Sequence, residues 1–425
     1  MGFLREAKQY FQPIGKLGQN ARLYLLATCF QGLSSGIWGV IFYLYLNLKS
    51  IGFGTNFIGN LFTAGAAATG LIALPAGLFC ELTGPKKALL IGLVSNFASL
   101  AQIILLQPSI LLVASFASGL MGTIYSIAGA PFMLENSDRR ERAHLFSFNL
   151  TLTVILSVVG SYMGGVMPDL FNASLGLPTG TQLGSPVGYR LTLAVSVLLA
   201  FSAVIPLFLV KEKKIKRQKA HTLLGLKNVK SPQTIIKFMV PTALIGLGAG
   251  FIVPLINLFF KIKFLASTEQ VGIISALGSV TLGLGALVAP FLAARLGKVR
   301  SVAACEFLSL PFIMLIPLSP NLAYGATAYI LRTALMNMSG PIGTMLQMEL
   351  VSDSERATTS GLMTMADSLP RAAAASAAGL MLAHGNFVTP FLITTITYPL
   401  AASLYYVIFR KVEKVDPAHK LHNNR

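Results

Sequence analysis

Leu331–Arg356 reads LRTALMNMSGPIGTMLQMELVSDSER, an apolar stretch with an arginine near its start and a charged turn at its end. An arginine halfway through a membrane-spanning helix costs on the order of 3 kcal/mol by insertion scales. We therefore expect Arg332 to face protein, water or a ligand rather than lipid. At the other end, Glu349 precedes Arg356 by seven residues.

The same spacing of glutamate and arginine occurs earlier in the chain, and other residues repeat at almost the same distance. A constant offset of this kind predicts two structural repeats of six helices each. The pairs 214 residues apart are Gly32 and Gly246, Gly36 and Gly250, Lys49 and Lys263, Glu135 and Glu349, and Arg142 and Arg356. Two further pairs, Gly59 with Gly272 and Gly84 with Gly297, are 213 apart.

The composition is that of a membrane protein. Of the 425 residues, 54% are hydrophobic and 11% are charged, against about 25% charged in soluble domains. The net charge of +18 would suggest nucleic-acid binding in a soluble chain. Here the basic residues lie in short loops on one side of the apolar spans, which is the positive-inside pattern. We therefore expect a lipid environment and no nucleic-acid partner.

Twelve apolar stretches are long enough to cross a bilayer, which needs about 20 residues each. The fold class predicted is an all-α membrane protein with two six-helix bundles. We predict spans at 21–47, 55–80, 86–107, 109–135, 144–168, 190–210, 238–264, 269–294, 300–318, 322–349, 357–383 and 387–410. The domains are a cytoplasmic segment 1–20, a bundle 21–210, a basic linker 211–237, a bundle 238–410 and a cytoplasmic tail 411–425.

The basic loops also predict the orientation. An even number of spans with both chain ends on the basic side places both termini in the cytoplasm. We expect a multi-pass protein of the bacterial cytoplasmic (inner) membrane, acting as a monomer.

The loop between the second and third spans reads Gly77-Leu-Phe-Cys-Glu81-Leu-Thr-Gly84-Pro-Lys86-Lys. It resembles the signature loop of the major facilitator superfamily, with Glu81 in place of the usual aspartate. The resemblance covers essentially the whole chain and implies two bundles, related by a pseudo-two-fold axis, that rock about a central site. It also implies that Gly77, Glu81, Gly84 and Lys86 belong to a cytoplasmic gate.

The two Glu-x6-Arg elements resemble the same superfamily at the cytoplasmic ends of spans four and ten. By this resemblance, Glu135, Arg142, Glu349 and Arg356 complete the gate, because a carboxylate at a helix end can bind and release a neighbouring arginine. Solvated helix ends are the alternative. The motifs of sugar porters after span six and in span seven are missing, so a sugar is not predicted.

Ionisable residues at mid-depth are the best indicators of function in a membrane span. Arg332 lies about ten residues into its span, roughly 15 Å. Asp367 and Arg371 lie at similar depth four residues apart, so they share one helical face and can pair. Either this set only holds two helices together, or an arginine binds an anionic solute while Asp367 carries a proton.

Other polar residues can line the solute path, and one acid has a simpler interpretation. Glu306 lies only six residues after Arg300, so we interpret it as reaching the cytoplasmic surface. The candidates for the solute path are Gln31, Trp38, Tyr125, Asn149 and Asn257.

The sequence thus predicts a secondary transporter that moves a small amphipathic or anionic organic solute by alternating access, coupled to protons and directed outward. Export of drugs, lipids or lysolipids is the alternative, and a membrane sensor is a remote one. The histidines and three cysteines form no ligand pattern, so we expect no cofactor, no metal and no enzymatic activity.

Overall fold

All regular elements of the computed structural model are helices over the residues it describes, which are 17–180, 184–211, 231–352 and 355–411. Most of the predicted N-terminal segment, the linker and the tail lie outside the described residues. The helices follow the predicted spans closely, although several spans consist of two shorter helices.

The described residues of the first half form eight helices. They are α1 (Gln19–Leu46), α2 (Thr55–Thr83), α3 (Pro85–Gly92), α4 (Ser95–Ile104), α5 (Pro108–Glu135), α6 (Arg139–Ser174), α7 (Pro186–Ser202) and α8 (Val204–Leu209). The third predicted span is α3 with α4, and the sixth is α7 with α8. At 36 residues, α6 is the longest helix described and extends beyond its predicted span at both ends.

From residue 231 onward, the residues that the structure describes form seven α-helices and one 3₁₀ turn. They are α9 (Pro232–Ile252), the turn Val253–Leu255, α10 (Ile256–Phe264), α11 (Thr268–Leu296), α12 (Lys298–Leu318), α13 (Leu322–Leu350), α14 (Arg356–Ala383) and α15 (Thr389–Phe409). The seventh predicted span is therefore α9, the turn and α10 together.

Local sequence explains where several helices begin. Gly84 and Gly297 precede α3 and α12 with φ angles of 93° and 86°, a backbone conformation that glycine adopts without strain. These two glycines belong to the repeat. Asn321 caps α13, because its side chain accepts a hydrogen bond from the Tyr324 amide at 3.2 Å.

Within the described residues, nine helical segments are long and apolar enough to cross a membrane, and α11 makes a tenth as two pieces bent at a break. The remaining two predicted spans are α13 and α14, with 29 and 28 residues. Both are long enough to cross, but they fall outside this group by their composition. They are also the helices that carry Arg332, Asp367 and Arg371.

The chain forms two compact units, described here one at a time. The first contains the described residues within Met1–Phe53, Ile72–Leu224 and Ser267–Ala276, and the second those within Gly54–Leu71, Gly225–Ala266 and Leu277–Arg425. Because helix segments 54–71 and 267–276 cluster with the opposite half of the sequence, the predicted domain boundaries stay a prediction.

In the first unit, α1 packs against α6 and α7, and α5 packs against α3 and α4. In the second unit, α9 packs against α14 and α15, and α12 packs against α13 and α15. Each unit has a core of buried apolar side chains. The first core includes Tyr24, Ala128, Phe132, Phe148 and Leu207, and the second includes Phe238, Val302, Ile342, Tyr405 and Phe409.

Candidate solute-binding site

The site begins with three glycines on α9 that let two other helices approach closely. A β-carbon at Gly246 would lie 2.9 Å from the Asp367 Cα, and one at Gly250 would lie 2.9 Å from the Arg371 Cα. A β-carbon at Gly248 would lie 2.8 Å from the Tyr398 ring. Contacts this short exclude any larger side chain without a shift of the neighbouring helix. The glycines therefore hold α14 and α15 against α9 at the charged residues.

Asp367 and Arg371 form a bidentate ion pair on α14. Arg371 donates from Nε to Asp367 Oδ2 at 2.9 Å and from Nη2 to Oδ1 at 2.7 Å. Their side chains are 22% exposed for Arg371 and 32% exposed for Asp367. The predicted pairing of these two residues on one helical face thus agrees with the structure. Their partial exposure leaves both charged groups accessible from one side.

Arg332 on α13 is buried more deeply than this pair. Only 4% of the residue is exposed, and its Nη2 donates to the hydroxyl of Tyr398 on α15 at 2.6 Å. Its Nε has no hydrogen-bond partner among the described residues. A phenol carries no charge at neutral pH, so this hydrogen bond leaves the positive charge of Arg332 without a balancing carboxylate.

Tyr398 connects the two arginines. Its hydroxyl accepts from Arg332, and its ring packs against Gly248, two residues before the glycine that packs against the Arg371 backbone. Arg332, Tyr398, Arg371 and Asp367 therefore form one group, which we call the anion cluster. It contains two arginines and one carboxylate, so its net charge is positive when Asp367 is ionised.

Sequence reasoning missed Tyr398, although a signal was present. Arg332 lies ten residues from the start of α13, and Tyr398 lies nine residues from the start of α15. Both helices run from the predicted outer face, so the two side chains sit at nearly equal depth, roughly 14 to 15 Å. A tyrosine at the depth of an arginine is a natural hydrogen-bond partner in a membrane interior.

Three candidates of the first unit contact neighbouring side chains or a backbone carbonyl. The Asn149 Oδ1 lies 3.0 Å from the Thr28 hydroxyl, and Gln31 Nε2 donates to the Ala200 carbonyl at 3.4 Å. Trp38 stacks on Phe42 with ring centroids 4.4 Å apart. Each of these candidates is partly exposed, so a role in the solute path stays a prediction.

The remaining two candidates lie in different units. Tyr125 packs against α3, because a β-carbon at Gly92 would lie 2.6 Å from the Tyr125 Cβ. Asn257 is half-buried on α10 in the second unit. The role of both residues in binding likewise stays a prediction.

The arginines of the two Glu-x6-Arg elements make equivalent hydrogen bonds. Arg142 donates to the Leu134 carbonyl at 3.3 Å, and Arg356 donates to the Met348 carbonyl at 3.0 Å. In both cases the arginine reaches back to the residue before the glutamate, near the end of the preceding helix. Such bonds satisfy carbonyls that a helix leaves unpaired at its C-terminal end.

The other candidate gate residues have varied surroundings. Glu349 forms an ion pair with Lys298 at the start of α12, with Nζ 2.5 Å from Oε2. In the first unit, Lys86 donates instead to the Val210 carbonyl at 2.7 Å. Glu81 is exposed at the end of α2. A β-carbon at Gly77 would meet open space, so close helix approach does not require a glycine there.

Glu306 does not reach the cytoplasmic surface as the sequence suggested. It lies on α12 and is only 7% exposed, so the residue is buried in the interior rather than at the surface. The described residues also contain no group of three histidine, cysteine, aspartate or glutamate side chains that could hold a metal ion.

The helical units, their internal repeat and the buried charges define a multi-pass membrane protein of the transporter type. The sequence profile of the Major Facilitator Superfamily matches residues 24–243 and 238–424, and the chain therefore belongs to this family. No curated protein matches the sequence.

Solved structures of transporters show the same fold at low sequence identity. The nucleoside transporter NupG is 14% identical, with a TM-score of 0.71 over 92% of this chain and 98% of its own. A bacterial homologue of the iron transporter ferroportin, in its inward-facing state, is 15% identical, with a TM-score of 0.72 over 91% and 98%. A bacterial homologue of the human lysosomal transporter Spinster is 12% identical, with a TM-score of 0.70 over 94% and 98%.

Family membership confirms the predicted fold class and the predicted function class. The protein is an integral membrane transporter of a small-molecule solute, and it is not an enzyme. Identities of 12 to 15% show the shared fold alone, so these proteins do not identify the solute.

Proposed function

We propose that this transporter moves a small organic anion together with a proton, and that the anion cluster binds the anionic group. One observation carries the proposal. Arg332 is 4% exposed and is hydrogen-bonded to a neutral phenol rather than to a carboxylate. An arginine at mid-depth in a membrane span is costly, and two arginines in one cluster favour the binding of an anionic group.

The accessible part of the cluster is the Asp367–Arg371 pair. The two N–H groups that now hold Asp367 present the fork that a carboxylate or phosphate group of a solute also binds. The anion therefore reaches Arg371 first, and Tyr398 links this position to the positive charge of Arg332.

Proton coupling follows from competition for Arg371. A solute anion displaces the Asp367 carboxylate from the guanidinium, and a displaced carboxylate at this depth is stabilised by a proton. Protonation of Asp367 and binding of the anion therefore favour each other, which means that the proton and the anion travel in the same direction. Under this coupling an inward proton gradient drives uptake of the anion, which differs from the outward movement expected from the sequence.

Thermal stabilisation of the purified protein tests the anion site. The ligands are benzoate, citrate, deoxycholate and lysophosphatidylglycerol, with the cation ethidium for comparison. We expect an organic anion to raise the unfolding temperature of the native protein but not of Arg332→Met. Arg295→Met, which removes an arginine near the end of α11 in the same unit, is the matched control and should respond like the native protein.

Two outcomes would contradict the proposal. A shift by an anion that persists in Arg332→Met would show that the anion binds elsewhere. Stabilisation by ethidium alone would favour the drug-exporter alternative. If Arg332→Met does not fold, Arg332→Lys replaces it in the test. This variant keeps the positive charge, so the anion should still raise its unfolding temperature, but by less than in the native protein.

Proteoliposomes test the direction of coupling. An inward proton gradient should drive uptake of the labelled anion that gives the largest shift, because proton and anion bind together. Asp367→Asn should still exchange the anion across the membrane but lose the response to the gradient. Efflux driven by the inward gradient would instead demonstrate exchange of the anion for protons.

A further inference from the structure

Glu306 is a buried acid that the anion cluster does not use. It lies eight residues after Lys298, the first residue of α12, which is about 12 Å along the helix. The residue is 7% exposed, and its Oε2 has no hydrogen-bond partner among the described residues. The hydroxyl of Ser309 bonds only the backbone carbonyl of Glu306, at 2.6 Å.

The side chain lies in the apolar interior of the second unit. Val302, one turn earlier on the same face of α12, belongs to the core cluster that contains Ile342, Leu346 and Tyr405. Because α12 packs against α13 and α15, Glu306 lies among these helices rather than toward lipid. An apolar environment of this kind offers little solvation to an ionised carboxylate.

The charged groups on the surrounding helices are bonded elsewhere. On α13, Arg332 donates to Tyr398, and Glu349 pairs with Lys298 near the start of α12. On α12 itself, Arg300 is exposed at the cytoplasmic end. The other titratable side chains that α13 and α15 contribute are Tyr324, Tyr329, Tyr398, Tyr405 and Tyr406. Among the described residues, no lysine or arginine forms an ion pair with Glu306.

We propose that Glu306 is a second proton-binding site of the transporter. An unpaired ionised carboxylate in this interior would be strongly unfavourable, whereas the neutral acid requires no counter-charge. In the conformation described here Glu306 therefore holds a proton, while Asp367 is ionised beside Arg371. The two acids thus hold their protons in different states of the molecule.

The position of Glu306 also provides a way for the proton to leave. Two helical turns toward the cytoplasmic end, the Lys298–Glu349 pair joins α12 to α13, with side chains 28% and 48% exposed. When this pair separates and α12 moves from α13, water reaches Glu306 and the carboxyl exchanges its proton. This inference deepens the proton coupling proposed above, and it holds whether or not the solute is an anion.

Infrared spectroscopy of the native protein in lipid tests the assignment without a solute. The carbonyl stretch of a protonated carboxylic acid is resolved from that of a carboxylate. We expect such a band at neutral pH in the native protein and its loss in Glu306→Gln. Glu269→Gln, which removes an exposed carboxylate in the first turn of α11, is the control and should leave the band unchanged.

A titration to alkaline pH then separates a proton-binding site from a permanently neutral acid. We expect the band to disappear reversibly while the helix content, followed by circular dichroism, stays constant. A band that is unchanged in Glu306→Gln overturns the proposal, as does a band that persists until the protein unfolds. If Glu306→Gln does not fold, Glu306→Asp should shift the frequency of the band.

The result is distinguishable from failure of the anion site. Anion-induced stabilisation should persist in Glu306→Gln, because no ion pair among the described residues joins Glu306 to the anion cluster. Conversely, loss of the anion proposal with the carboxyl band intact would leave Glu306 as a proton site of a transporter with another solute.

Discussion

The contact between α1 and α6 and the contact between α9 and α14 have the same backbone geometry but different chemistry. Gly32 and Gly36 lie close to α6. A β-carbon at Gly32 would lie 3.4 Å from the Thr153 carbonyl oxygen, and one at Gly36 would lie 2.9 Å from the Gly160 Cα. The second contact repeats this arrangement 214 residues later, with Gly246 beside Asp367.

The difference lies in the side chains that the glycines face. Thr153 corresponds to Asp367, and Ser157 corresponds to Arg371, each 214 residues apart. Arg332 corresponds in the same way to Ser118. The glycines thus determine how closely the helices pack in both units, while the residues opposite them determine whether the contact is neutral or charged. Only the second contact has the chemistry to bind an ion.

The largest effect is expected from neutralising the acid of the second contact. Asp367→Asn leaves the Arg371 charge without its carboxylate at mid-depth. We expect a loss of about 3 kcal/mol of unfolding free energy, the lower end for a broken buried pair, because both side chains are partly exposed. Chemical denaturation in detergent measures the change.

The equivalent position in the first contact supplies the control. Thr153→Ala removes a hydroxyl that bonds only the Asn149 carbonyl at 2.7 Å, and it should change the stability by less than about 0.5 kcal/mol. Equal losses at the two positions would show that the charged pair does not distinguish the two contacts.

A second prediction concerns what the contacts share. Gly36→Ala and Gly250→Ala should each destabilise the protein by about 2 kcal/mol, because the added methyl group overlaps the backbone of the opposite helix. Gly39→Ala on α1 is the control, since a β-carbon there meets open space. A clear difference between the two contact glycines in the same denaturation experiment would contradict their equivalence.

The sequence predicted more of the helix arrangement than of the contacts made by the buried polar and charged side chains. The offset of 214 between Gly32 and Gly246 and between Gly36 and Gly250 predicted two structural repeats, and these glycines lie at equivalent helix contacts in the two units. The four-residue spacing of Asp367 and Arg371 also predicted that these two side chains pair. The sequence did not predict the Tyr398–Arg332 hydrogen bond or the burial of Glu306, because both depend on how α12, α13 and α15 pack. Helical periodicity within one segment does not contain that information.

Tyr398→Phe sharpens the comparison by removing the link between the two arginines. It deletes the hydroxyl that accepts the Arg332 hydrogen bond and should cost about 1.5 kcal/mol, the lower range for a bond to a charged group. Denaturation of Tyr406→Phe on the same helix provides the control. An unchanged stability in Tyr398→Phe would mean that Arg332 finds another partner, and the cluster would then be two separate sites.

The smallest effect is expected for the ion pair at the start of α12. Lys298 pairs with Glu349 in the second unit, whereas Lys86 of the first unit binds a backbone carbonyl at the end of α8. Because the ion pair is partly exposed, a double-mutant cycle of Lys298→Ala and Glu349→Ala should give a coupling of about 0 to 1 kcal/mol. A bond this weak suits a contact that must open during transport, since a strong one would hold a single state. A coupling several times larger would identify a static structural pair, and the proposed exit of the Glu306 proton past this end of α12 would then require another opening.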